Sequence, residues 1–149
     1  MMSVLEQLNQ DMKTAMKAKD RESLTTIRMI KSSMQNEEIA KGRELTADEE
    51  LTILAREKKQ RLESLEEFKK ADRADLVEKL EAEIKVVDQY LPEQLSEDEV
   101  REIVQETIDE LGADSMKDMG AVMSGVMPKV QGRADGSKIN GFVRELLSN

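Results

Sequence analysis

The chain has 149 residues, of which 37 % are charged, 38 % hydrophobic and only 2 % aromatic; that length suits one ordinary domain or two small ones, and the composition is that of an all-α protein. It contains no Cys and no His, which excludes disulfides, thiol nucleophiles, imidazole bases, Cys/His zinc sites and Ser-His-Asp catalysis together. A net charge of −9 repels a polyanion on average, so any nucleic-acid contact must come from a local basic patch.

The first predicted helix spans about residues 4–18, with Leu5, Leu8, Met12 and Met16 on one face. The second spans about 21–41 with Leu24, Ile27, Ile30 and Met34 inward, and Gly42 is placed to end it. The third, about 47–70, shows Leu51, Leu54, Leu62, Leu65 and Phe68, interrupted on that face by Lys58. In the fourth, about 73–90, Val77, Leu80, Ile84, Val87 and Leu91 alternate at steps of three and four, a heptad seam. The short "KADRAD" break predicts that helices three and four form a long antiparallel hairpin.

Pro92 disfavours helix at Leu91, and Ser96 starts a new one four residues later. The fifth helix, about 97–111, carries Val100, Ile103, Val104, Ile108 and Leu111 and stops at Gly112. Ser115 is placed to cap the sixth, with Met119, Val122, Met123 and Val126 inward and Gly132 as its stop. Asp135 caps the seventh, with Ile139, Phe142, Val143, Leu146 and Leu147 inward. Ser3/Glu6, Thr46/Glu49 and Ser96/Glu99 have the capping-box spacing, in which each member satisfies the other's free amide. The expected fold is all-α, with a four-helix N-terminal domain at 1–92 and a small three-helix C-terminal domain at 96–149.

The three aromatics, Phe68, Tyr90 and Phe142, are too few for a base-stacking platform. No stretch approaches the roughly 20 apolar residues of a membrane span, and "MMSVLEQLNQDM" lacks the apolar run of a signal peptide. A cytoplasmic protein with no membrane partner is expected.

The segment "MPKVQGRADGSKIN", 127–140, stands apart from this Glu-rich, helix-forming background. Its Gly132-Arg-Ala-Asp-Gly136-Ser137-Lys138 invites comparison with a phosphate-cradling P-loop. The glycines are one residue too close, Ser precedes Lys, and no strand comes before, so a nucleotide loop is rejected. A joint between helices explains the glycines and the Asp135 cap. The free amides opening the seventh helix, with Lys129, Arg133 and Lys138 nearby, would also suit one RNA backbone phosphate.

Other features have structural explanations. Gly120/Ser124 and Ala121/Gly125 are small pairs suited to tight packing against helix five or seven, and Met116, Met119, Met123 and Met127 follow helical spacing as adaptable core. The run "REKKQR", 56–61, and the pair Arg28/Lys31 are flanked by acids, and pairing of Glu57 with Arg61 reads as part of a solvated face, with an RNA-contact surface as the lesser alternative. Carboxylate pairs such as Glu78/Glu81 arise by chance in so acidic a chain. The residues predict no catalytic site, no metal site and no cofactor.

The tail "DMGAVMSGVMPKVQGRADGSKINGFVRELL", the helix "TTIRMIKSSMQNEEI" and the hinge "YLPEQLSEDEV" resemble the YqeY-like family. The tail is also similar to the C-terminal region of the B subunit of the glutamine-dependent aminoacyl-tRNA amidotransferase. That subunit's large N-terminal part, which holds the ATP-using amide transfer, a carbon-nitrogen ligase activity, has no counterpart here. The resemblance implies an RNA-facing architecture without the catalytic residues, with Lys129, Gly132, Arg133, Lys138 and Asn140 as the matching positions for tRNA contact. It implies as partners tRNA, or a protein of the translation or tRNA-amidation machinery. A protein-interaction adaptor using the acidic helix five or the hairpin is the alternative.

Overall fold

In the computed structural model, which describes residues 2–148, seven α-helices and two short 3-10 turns account for the regular structure, with no strand among the described residues. The helices are α1 (Val4–Lys17), α2 (Arg21–Lys41), α3 (Ala47–Lys70), α4 (Ala74–Asp88), α5 (Glu97–Leu111), α6 (Met119–Val126) and α7 (Gly136–Ser148). The 3-10 turns are Met116–Asp118 and Met127–Val130. The chain divides into two compact units, Met1–Pro92 and Glu93–Asn149. Residues 1 and 149, which end the expected domains, lie outside the described residues.

Several of the local signals act where they were read. Thr46/Glu49 and Ser96/Glu99 form complete capping boxes, whereas at Ser3 only the bond from the Glu6 amide is made. The α1 terminus gains a cap from elsewhere in the unit: buried Glu50 on α3 accepts the Leu5 amide at 3.0 Å. A carboxylate suits this place because the first-turn amides have no intrahelical partner and carry the positive end of the helix dipole. Gly42 and Gly112 end α2 and α5 as expected.

The first unit closes around Leu8, Ile27, Ile30, Met34, Leu54 and Val87. Each such side chain, taken fully out of water, contributes about 1.5–3 kcal/mol before chain entropy is set against it. Helices α3 and α4 run antiparallel, since Lys58 reaches Asp88 at 2.8 Å while Arg61, further along α3, reaches Glu83, earlier on α4. The inward face of α3 differs from the expected one. Leu62 is 41 % exposed, whereas Glu57 and Arg61 are buried at 7 % and 5 % exposure. The Glu57/Arg61 pair forms, at 2.6 Å, but inside the unit rather than on a solvated face. On α1, likewise, Ala15 is buried and Met16 is exposed, because the 3.6-residue period carries the buried stripe from Leu8 to Ala15.

The second unit packs Val104 of α5 against Val122, Val126 and Val130 and against Ile139 and Val143 of α7. Ser115 makes no side-chain cap bond, and a 3-10 turn precedes α6 there. α6 gives way at Met127, well before Gly132, because Pro128 has no amide to continue the α-helical ladder and a tighter turn follows. Met116 and Met127, expected in the core, are exposed, while Met119 and Met123 lean on it. The three residues Glu93–Leu95, between the expected domains, belong to this unit: Leu95 packs on its core and its amide donates to the Arg133 carbonyl at 2.8 Å.

Candidate nucleic-acid interface

The segment 127–140 is first of all a joint. Val130 is buried as its anchor, and Gly132 follows with φ +70°, a left-handed conformation that costs an L side chain about 1–2 kcal/mol. The Gly132 carbonyl accepts from the Gln94 side-chain amide at 2.9 Å. Asp135 accepts the Ser137 amide on its carboxylate at 3.0 Å and the Ile139 amide on its carbonyl at 3.1 Å, opening α7 as an N-cap.

The five residues expected to contact RNA fall into two groups. Lys129 is committed within the unit: its ammonium donates to the Thr107 hydroxyl at 2.9 Å and to Glu110 of α5 at 3.0 Å. Arg133 is committed in part, its Nε donating to the Glu93 carbonyl at 3.3 Å, and Gly132 is tied through its carbonyl. Lys138, by contrast, is exposed and has no ion pair or side-chain hydrogen bond with any described residue. Asn140 is half-buried two residues further along α7. Arg144, also exposed and unpaired among the described residues, lies one turn beyond Asn140 and was missed by sequence reasoning, although the spacing of four would have found it.

Around this turn the charges are balanced by α5. Arg101 lies 4.6 Å over the Phe142 ring and approaches Glu145 at 3.9 Å and Asp98 at 3.7 Å. The Glu99 carboxyl is held below the usual range by the Ser96 amide first, then the Ser96 hydroxyl, with Arg133 adding attraction.

A second region, on the first unit, was not anticipated. Ser33 donates to Glu57 at 2.5 Å, Glu57 holds Arg61, and Arg61 donates to Glu83 at 3.2 Å. Cavities open on either side of the chain of charges: one of about 500 Å³ touching Arg21, Met29, Lys79 and Glu83, another of about 540 Å³ touching Arg28, Met29, Ser33 and Glu57. The slip of the α3 stripe at Lys58 was the available signal. Among the described residues no three acidic side chains gather as a metal cage would require, and no helix is long and apolar enough to cross a membrane.

Helices alone, in two compact units, make the described residues those of an all-α protein. The chain belongs to the Yqey-like protein family, whose model matches residues 5–147. A protein of Pyrenophora tritici-repentis named "Altered inheritance of mitochondria protein 41, mitochondrial" is 32 % identical over 148 residues, 97 % of this chain and 81 % of that protein. Its namesake in Clavispora lusitaniae is 35 % identical over 124 residues, covering 80 % of this chain and 72 % of the relative. The namesake in Lachancea thermotolerans is 42 % identical over 85 residues, 56 % of this chain and less than half, 46 %, of the relative.

Proposed function

We propose that this chain is a non-catalytic, tRNA-associated binding module whose tail unit meets an RNA backbone phosphate at the turn into α7. The observation that carries the reading is exposed, unpaired Lys138 in the first turn of a 13-residue helix. There the amides have no intrahelical partner and Asp135 takes only that of Ser137 through its side chain. Support also comes from likeness, since Lys129, Gly132, Arg133, Lys138 and Asn140 match the tail of the amidotransferase B subunit. In this reading Lys138 and Arg144 face the phosphate directly, while Gly132 and Arg133 shape the turn. The four-helix and three-helix parts act as separate modules, and the partner protein, where there is one, belongs to the translation or amidation machinery. The names of the relatives place them in mitochondria, whereas for this chain we propose the cytoplasm, which fractionation of the source cells tests.

The test is binding of whole tRNA by fluorescence anisotropy at low and moderate salt. Micromolar or tighter binding is expected at low salt, and Lys138→Ala should weaken it and flatten the dependence of log K on log salt by about 0.7–0.9, the share of one phosphate contact. No binding at micromolar protein even at low salt overturns the reading. The adaptor alternative draws support from Ile39, 79 % exposed on α2, and Met29 beside the cavities. A protein partner recovered after nuclease treatment, and lost on Met29→Glu, would favour it.

A further inference from the structure

From the same tail we infer that Glu110 of α5 is a built-in competitor for the RNA phosphate, masking Lys129 and holding the affinity of the module down. This rests on the proposed tRNA reading and adds regulation to it. The Glu110 carboxylate sits 3.0 Å from the Lys129 ammonium, where an anionic oxygen of a backbone phosphate would otherwise be placed. The buried Thr107 hydroxyl, which donates to the Ile103 carbonyl at 2.8 Å, accepts from the same ammonium at 2.9 Å and fixes it beside the acid. The side chains of Lys129 and Glu110 remain 34 % and 56 % exposed, so an incoming anion can reach the pair.

The balance of charge along the unit points the same way. Residues 96–111 hold seven acids against Arg101 alone, whereas 112–149 hold five bases and four acids. α5 is therefore strongly acidic, and it holds the tail cation Lys129 directly. An exposed pair of this kind is weak, and its removal shifts an equilibrium by about two- to fivefold. The pair is strong enough to set an affinity and weak enough for phosphate to displace.

Salt dependence separates this from mere loss of negative charge. In the native chain a phosphate arriving at Lys129 frees Glu110, which takes up a cation as the RNA releases one, so Lys129 adds nothing to the net ion release. In Glu110→Gln the uptake disappears, and the slope of log K against log salt should steepen by about 0.7–0.9.

The experiment measures anisotropy of labelled whole tRNA with the full chain, Glu110→Gln, Glu102→Gln, Lys129→Met and the Lys129→Met/Glu110→Gln double variant, each first checked for native helicity and cooperative melting. Glu102 is exposed on α5 and has no ion pair with a described residue, so it controls for net charge. Glu110→Gln should bind about two- to fivefold tighter at low salt with the steeper slope, and the gain should vanish in the Lys129→Met background. If the native chain binds but Glu110→Gln gains nothing, gains no more than Glu102→Gln, or keeps its gain without Lys129, the inference falls and the tRNA reading stands. If neither the native chain nor Glu110→Gln binds, both fall.

Discussion

Arg61 on α3 donates to Glu83 on α4 across 3.2 Å from a side chain that is almost wholly buried. It also holds Glu57, one turn back on its own helix, which in turn accepts from Ser33 of α2. One cation therefore serves two carboxylates and joins three helices of the first unit. Taking such groups out of water is costly, and what makes the arrangement tolerable is that each charge has a partner.

Removing the cation should accordingly do more harm than its contacts suggest. Arg61→Met leaves buried Glu57 and half-buried Glu83 without the cation they share, and the expected loss is about 3–5 kcal/mol by urea denaturation at neutral pH. Replacing all three, as Arg61→Met with Glu57→Leu and Glu83→Met, should recover most of the loss. A small loss in the single variant would mean that water reaches the network and pairing matters little.

Tyr90 supplies a spectroscopic test of how the end of α4 is held. Its hydroxyl donates to Asp11 of α1 at 2.5 Å, and burial first, then this carboxylate, hold the phenol well above its ordinary value of 10.0. A raised folded value means that this contribution to stability is fully present below the unfolded value and is lost as pH rises beyond it. Tyr90 is the only tyrosine and there is no Trp, so phenolate absorbance reports this site alone. The phenolate band of the native protein should therefore rise at higher pH than that of the urea-unfolded chain, which titrates near 10. Asp11→Asn should bring the native titration down. A native curve superimposing on the unfolded one would show that the bond to Asp11 is not kept in solution.

Much of the architecture could be read from short-range chemistry. Thr46, Ser96 and Asp135 cap helices through contacts two or three residues away, and Pro92 and Gly112 interrupt helices by their own backbone properties, so neighbours in the chain suffice to predict them. What escaped depends on partners distant in sequence. Arg61 looks like a surface residue until Glu83 is brought beside it, and assigning every charge to the outside displaced the inner face of α3 toward Leu62. Lys129 looked free for RNA because Glu110, nineteen residues earlier, could not be placed opposite it from sequence. Lys138 retained the exposure expected of it because no acidic side chain among the described residues pairs with it.

The small residues of α6, alike in sequence, should part in their response to a methyl group. A Cβ at Gly125 would lie 2.8 Å from Thr107 Cγ2 and 3.6 Å from Leu111 Cδ1, whereas a Cβ at Gly120 would meet nothing within 4 Å. Thr107 cannot swing aside cheaply, since it is buried and its hydroxyl is bonded to both the Ile103 carbonyl and Lys129. Gly125→Ala should therefore destabilise by about 1–3 kcal/mol through overpacking, less the helix-propensity gain of about 0.5–1 kcal/mol. Gly120→Ala collects that gain without the clash and should raise the melting temperature. Opposite signs in thermal unfolding followed by circular dichroism are the expected result. Equal gains in both would mean that α5 and α6 can separate at Thr107, and the close approach at Gly125 would then not be what holds them together.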